Sequence, residues 1–263
     1  MNRNQAPTLT LFAVGMIGLG ILALIYGDFA LVWQPVASWV PGRTALAYGS
    51  GILMLFGGVG LLFSATAVWS ARVLFVYLIV WLLLKVPALV AAPQMEAVWL
   101  GFGELAVLLT GGWVLFARLA NLRDGSGLGF AAGESGIRMA RILFAVALIP
   151  IGLSHIVYVQ QTAALVPGWL PGRTGWAYLT GAGQIACGLG VLFSVLPSVA
   201  AICEAGMLSL FTLLVWMPAI VAAPKTRLPW TAFFISWAIA AAAWLVASNI
   251  AKKRSDTAKV TLP

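Results

Sequence analysis

An all-α integral membrane protein, with eight transmembrane helices arranged as two parallel four-helix repeats, is the fold class this sequence predicts. Three observations lead there. Of the 263 residues, 62% are hydrophobic and only 8% charged, too few polar side chains to face water around a soluble body. The mean hydropathy is +1.02, and the apolar residues come in blocks of about 20, enough to cross ~30 Å of hydrocarbon. The chain also repeats itself. Trp39, Pro41, Gly42, Arg43, Thr44, Ala47 and Tyr48 return 130 positions later as Trp169, Pro171, Gly172, Arg173, Thr174, Ala177 and Tyr178. Leu62-Phe63-Ser64 matches Leu192-Phe193-Ser194 at the same offset, whereas Pro93 matches Pro224 at 131, so the second copy carries one inserted residue. A long internal repeat in an apolar chain predicts two copies of one membrane unit.

The spans follow in order. The first, 8–29, begins after Arg3 without a short core and a small-residue cleavage site, so it reads as a spanning helix and not as a signal peptide. The second, 44–63, opens behind Pro41-Gly42-Arg43 and carries Gly51, Gly58 and Gly60, small residues that let helix backbones approach closely. The third, 72–92, ends before Pro93, and the fourth, 97–117, ends at Arg118. The second unit repeats the pattern as 138–159, 174–193, 199–222 and 230–250, with Gly181, Gly188 and Gly190 in its second span. Between the units, Asp124-Gly125-Ser126-Gly127 and Gly133 make a polar, flexible seam. The expected organisation is a first unit over 1–120, a cytoplasmic linker over 121–137, a second unit over 138–251 and a basic cytoplasmic tail over 252–263.

Lys and Arg set the orientation. Ten of them (Arg3, Arg72, Arg118, Arg123, Arg138, Arg141, Lys252, Lys253, Arg254 and Lys259) fall on the side of the termini, against Arg43, Arg173, Lys225 and Arg227 opposite. The excess predicts cytoplasmic termini and outward-facing Pro-Gly-Arg loops. Four spans per unit make the repeats parallel, about an axis along the membrane normal. The net charge of +8 belongs to this asymmetry. No basic face with interleaved aromatics points to nucleic acid, so the expected partner is the lipid bilayer. Trp33, Trp39, Trp99, Trp169 and Trp230 lie near span ends and read as an interfacial belt.

His155, then Val166-Pro167-Gly168-Trp169-Leu170-Pro171, Trp176 to Gly181 and Gly188-Leu189-Gly190 resemble the DoxX-like membrane proteins. That family is a four-helix membrane unit, so the chain resembles its tandem duplication, most clearly over 138–200. The resemblance implies a bacterial inner-membrane protein. Some relatives are linked to thiosulfate:quinone oxidoreduction or to membrane redox complexes. A quinone is therefore the cofactor implied, and a soluble or membrane redox protein the partner. Family members often carry a Glu in the second helix of the unit; here Met54 and Gln184 stand at those places.

The residues themselves identify no catalytic, metal or cofactor site. Cys187 and Cys203 form no CxxC motif, and a single histidine excludes bis-His haem. No P-loop, dinucleotide fingerprint, nucleophile elbow or zinc-protease motif appears. His155, near the outer end of the fifth span, is read either as a proton-passing group or as an interfacial histidine bonded to the adjacent loop. Lys85 and Glu104 sit at matching depth on consecutive antiparallel spans and are expected to form an intramembrane ion pair, since a lone charge there costs about 2.5–3.5 kcal/mol. Trp216 and Ile235 replace them in the second unit, so both charges are lost together. Such a pair serves either as scaffold or as a proton or substrate path. Glu204 is expected to snorkel inward or to meet Arg138 or Arg141. Arg43 and Arg173 are fork donors able to hold an anion bidentately, or else caps for loop carbonyls. The function expected is a non-catalytic membrane component or assembly partner of a redox or respiratory complex. The alternatives are a quinone-linked oxidoreductase subunit and a small-molecule or lipid transporter.

Overall fold

A computed structural model describes residues 6–31, 33–120 and 129–260. Among the described residues the chain forms helices and turns and no strand. Seven segments are long and apolar enough to cross a membrane, against the eight expected. The expected span outside that set is α7 (Arg173–Leu192), which is 20 residues long but diluted by Gly175, Gly181, Gly183, Gly188, Gly190 and Gln184. Asp124 to Gly127 of the expected linker, together with Arg3 and Arg123, lie outside the described residues.

The first helix, α1 (Ala6–Tyr26), stops short of the expected Phe29 because Gly27 turns the backbone left-handed at φ 57°. The chain then carries Phe29, Ala30, Trp33 and Gln34 inward before α2 (Arg43–Leu61). Gly42 precedes α2 with φ 66°, and Gly172 precedes α7 with φ 68°. Nothing lies within 4 Å of where a Cβ would stand at either, so conformation and not space favours glycine there. The third helix, α3 (Ala67–Ala91), holds Pro87 in its last turns and is followed by α4 (Glu96–Leu119). The next long helix, α5 (Gly133–Val157), begins within the expected linker, and α6 (Val159–Leu165) is helical where a loop was expected.

After α7 the chain enters α8 (Pro197–Phe211), with Pro197 at its first turn, where a missing N–H costs nothing. A π-helical turn over Thr212–Trp216 leads into α9 (Met217–Ala222), and α10 (Arg227–Val260) completes the chain. The one-residue slip between the repeats falls between Ser194 and Pro218, the interval that contains this turn. A widened turn is how a helix takes in one extra residue.

The most enclosed helices are α4 and α10, which pack on each other at the centre. Their facing stretches, Leu105–Leu109 and Ala238–Ala243, are nearly inaccessible. A Cβ on Gly111 would stand 2.6 Å from the Ala242 Cβ, which is why the backbones can meet. On either side, α1 packs on α2 and α10, while α5 packs on α7 and α4. The paired glycines serve these contacts: a Cβ on Gly58 would meet the Ala13 carbonyl oxygen at 2.8 Å, and one on Gly188 the Ala145 carbonyl oxygen at 2.7 Å. Close packing of this kind holds helices together where lipid supplies no hydrophobic drive. Trp33 departs from the interfacial belt. It is buried, packed on Trp81 at 6.4 Å, because Phe29, Ala30, Trp33 and Gln34 fold into the bundle.

Candidate functional site

Polar side chains gather in three places. The first is at the bundle end that carries Gly42 and Gly172. Asp28, just past α1, receives Arg43 Nη1 from the start of α2 at 2.5 Å and Arg227 Nη1 from the start of α10 at 2.9 Å. The Phe29 amide also donates to Asp28 Oδ1 at 2.7 Å. Arg227 Nη2 donates to the Phe29 carbonyl, and Arg43 Nε donates to the Val36 carbonyl at 3.1 Å. The Arg43 guanidinium lies 5.6 Å from the Phe29 ring centre, and that of Arg227 lies 5.1 Å from Tyr26. Burial pushes the Asp28 carboxyl upward, but hydrogen bonds from Arg227, Arg43 and the Phe29 amide outweigh it, so Asp28 titrates below the ordinary range. One carboxylate thus ties three chain segments together.

This cluster separates the two Pro-Gly-Arg arginines. Arg43 is committed to Asp28 and to a loop carbonyl. Arg173 is exposed, its guanidinium beside Gly168. The counterpart of Asp28 at the 130-residue offset is Tyr158, whose hydroxyl accepts the Ala97 amide at 3.2 Å. Asp28 therefore meets the start of α10, and Tyr158 the start of α4.

The second place is the inner face of α3. Gln34 donates through Nε2 to Tyr77 Oη at 2.6 Å and to Ser50 Oγ at 3.0 Å, while its Oε1 accepts the Ala30 amide at 2.9 Å. Ser50 and Tyr77 share a further bond of 2.7 Å. All three are buried and satisfied, as a polar cluster in an apolar bundle must be. One and two turns on, Trp81 and Lys85 continue the same face. The Lys85 ammonium lies against α4, 3.0 Å from where a Gly101 Cβ would stand. Glu104 is three residues further along α4 and interacts electrostatically with Lys85. Among the described residues, however, the ion pairs closed within 4.0 Å both involve Asp28, so the two charges face each other without a direct bridge. The ammonium rests about one turn of α4 away from the carboxylate-bearing residue.

The third place lies between α5, α7 and α8. His155 Nδ1 is 2.8 Å from Thr180 Oγ1, and its ring lies 5.7 Å from Phe211. Thr180 Oγ1 also lies 2.9 Å from the Trp176 carbonyl and 3.1 Å from the Ala177 carbonyl, so the hydroxyl sits among three partners. The histidine is thus bonded to α7 about two turns from its start, and not to the Pro167–Arg173 loop. Deeper, Gln184 and Glu204 are fully enclosed, and Cys187 is beside them. Glu204 meets neither Arg138 nor Arg141; Arg141 donates instead to Ser194 Oγ at 2.9 Å. Cys187 and Cys203 are both free.

Sequence reasoning missed Asp28, the Gln34–Ser50–Tyr77 cluster and the Gln184–Glu204 neighbourhood. Only Asp28 left a signal, as one of the few acids on the side that holds Arg43 and Arg227. Among the described residues no group of three His, Cys, Asp or Glu side chains is placed to hold a metal ion. Comparison with protein families, with curated proteins and with solved structures finds no match.

Proposed function

We propose that this chain is a multi-pass component of the bacterial inner membrane, serving a redox or respiratory complex as a scaffold or assembly partner. In this reading it consists of two parallel DoxX-like four-helix units, 1–120 and 138–251, with both termini cytoplasmic. Support for the duplication comes from packing: α1–α2 and α5–α7 are equivalent contacts, as are α1–α10 and α5–α4. Equivalent hydrogen bonds also recur, with Trp99 Nε1 donating to the Pro93 carbonyl at 2.9 Å and Trp230 Nε1 to the Pro224 carbonyl at 2.8 Å.

The observation that carries the scaffold reading is the Asp28 cluster. Its charges are spent on holding α1, α2 and α10 together, which favours a rigid exposed face over a mobile binding mouth. The exposed Trp39 and Trp169 flank that face and are the side chains a protein partner or the lipid interface would take up. Affinity capture in mild detergent, read by mass spectrometry, tests the proposal: recovery of a redox protein in fixed proportion supports it, and capture of the chain alone counts against it. The buried Lys85 and the half-buried Glu104 favour a second reading, a small-molecule or lipid transporter. Substrate uptake by proteoliposomes containing only this protein would establish that reading instead. A quinone-linked oxidoreductase subunit remains the reading that the family resemblance favours, and a quinol-dependent reduction by the captured complex would support it.

A further inference from the structure

We propose that Glu204, backed by Gln184, is a proton-binding site in the second half of the chain, exchanging with the Pro-Gly-Arg side along α7 past Thr180 and His155. The inference goes beyond the scaffold reading and holds whether or not the protein joins a complex.

The first argument is depth. Glu204 is seven residues into α8 and Gln184 eight residues before the end of the antiparallel α7, which puts each roughly 10–12 Å from the same end of the bundle. Both are wholly enclosed. Their side chains are close enough to interact, yet no hydrogen bond within 3.5 Å closes on either carboxyl oxygen of Glu204 or on either amide atom of Gln184. A carboxylate in that position needs a cation or a proton.

The second argument is that, among the described side chains, no cation is at hand. The elements packed on α8 are α7, α10 and the π turn. The titratable group that faces Glu204 from α7 is the Cys187 thiol, and Cys203 is its neighbour on α8. Residues 228–250 of α10 and the π turn Thr212–Trp216 contain no ionisable side chain. Arg141 is held by Ser194 in the turn between α7 and α8, about two helical turns from Glu204. A proton is the counter-charge that remains.

The third argument is the approach. Thr180, Gln184 and Cys187 lie at i, i+4 and i+7 on α7, one polar stripe on a single face. His155 heads that stripe through the bond between its Nδ1 and Thr180 Oγ1. The first half lacks this arrangement: the positions matching His155, Gln184, Cys187 and Glu204 are Ile25, Met54, Gly57 and Leu74. The π turn that follows Phe211 also belongs to this half alone among the described residues, and such turns concentrate at functional sites. The chemistry is a simple exchange. The carboxylate takes one proton from water and loses its charge, and alkaline conditions reverse the step.

The test uses the full chain in phosphatidylcholine vesicles. Infrared spectra across a pH series report the carbonyl band of a protonated carboxylic acid. Dicyclohexylcarbodiimide, which adds to such an acid and rearranges to a stable N-acylurea, locates the residue by mass spectrometry. The expected result is a carboxylic-acid band at neutral pH that fades on alkalinisation, with the adduct on Glu204. Glu204→Gln should abolish both. Gln184→Leu should change the proton affinity about tenfold, moving the midpoint by about one pH unit. His155→Phe should slow deuteration of the band several-fold and leave the midpoint in place. A parent protein without the band, a band that survives Glu204→Gln, or an adduct confined to Glu104 would overturn the proposal. If Glu204→Gln does not fold, the titration of the parent band and the position of its adduct decide alone.

Discussion

Replacing Asp28 with asparagine keeps the size of the side chain and removes the charge that holds Arg43 and Arg227 together. Asparagine can still accept one bond through its carbonyl oxygen, so the loss is one charge-assisted bond and the pairing of two guanidinium groups. A hydrogen bond to a charged group contributes about 1.5–3 kcal/mol, and an unpaired buried partner adds to the loss. The side chains are 25% exposed at Asp28, 28% at Arg43 and 19% at Arg227, so water and salt screen part of the effect. We expect Asp28→Asn to cost about 2–3 kcal/mol, or about 4–10 °C in melting temperature for a chain of this size. The assay is thermal unfolding in detergent, followed by intrinsic tryptophan fluorescence. Its pH dependence supplies a second readout. Asp28 titrates below the ordinary range because both arginines favour its ionised form. Its contribution is therefore present above the unfolded value near about pH 4 and is lost as pH falls through the lower folded value. The parent should lose this increment on strong acidification, and Asp28→Asn should show no such loss. A variant melting within a degree or so of the parent, or Arg227→Gln costing as much in the Asp28→Asn background as alone, would refute the reasoning.

Three further outcomes follow from the geometry. Lys85→Met and Glu104→Gln should each lower thermal stability, and the double variant should recover part of the loss, with a coupling of about 1 kcal/mol in a double-mutant cycle; strict additivity would show that the charges do not sense one another. An anion such as sulfate or thiosulfate should raise the melting temperature through the exposed Arg173, so Arg173→Lys should weaken the shift by losing bidentate geometry while Arg43→Lys leaves it in place. An equal loss at both sites would contradict the separate roles of the two arginines. Cysteine substitutions at Gly42 and Gly172 should react with an impermeant maleimide in intact cells, and one at Gly125 should not; labelling at Gly125 would reverse the orientation.

The helices were legible because hydrophobic length and proline punctuation are local properties. Span ends read from Pro93, Pro224 and Arg118 lie close to the structural ones. The differences have local causes as well. Gly27 ends α1 earlier than its apolar run, and the glycines that let α7 pack closely keep it from reading as a strongly apolar span. The site was less legible because it depends on pairs far apart in sequence. Asp28 and Arg227 are 199 positions apart, and no periodicity links them. Gln34 reads as a loop residue and proves to be buried, since it is bonded to Tyr77, 43 positions away. The expected reach of Glu204 toward Arg141 followed from its place near a helix end, whereas the helical phase that turns it toward Gln184 depends on how α7 and α8 pack.

The wide turn at Thr212–Trp216 has a consequence for how far the two halves can be exchanged. An extra residue in an ordinary helix would rotate everything beyond it by about 100°. Absorbed in one loosened turn, it leaves the rest of the helix in phase, and Pro218, Pro224 and Trp230 still answer to Pro87, Pro93 and Trp99 at an offset of 131. The mismatch is confined to the stretch opposite Lys85, whose nominal counterpart Trp216 ends the loosened turn. Trp216 therefore stands at the edge of the widened turn, whereas Lys85 stands in a regular helix. Grafting a lysine at position 216 would put the right atom on the wrong frame, and shortening Thr212–Trp216 by one residue would have to come first.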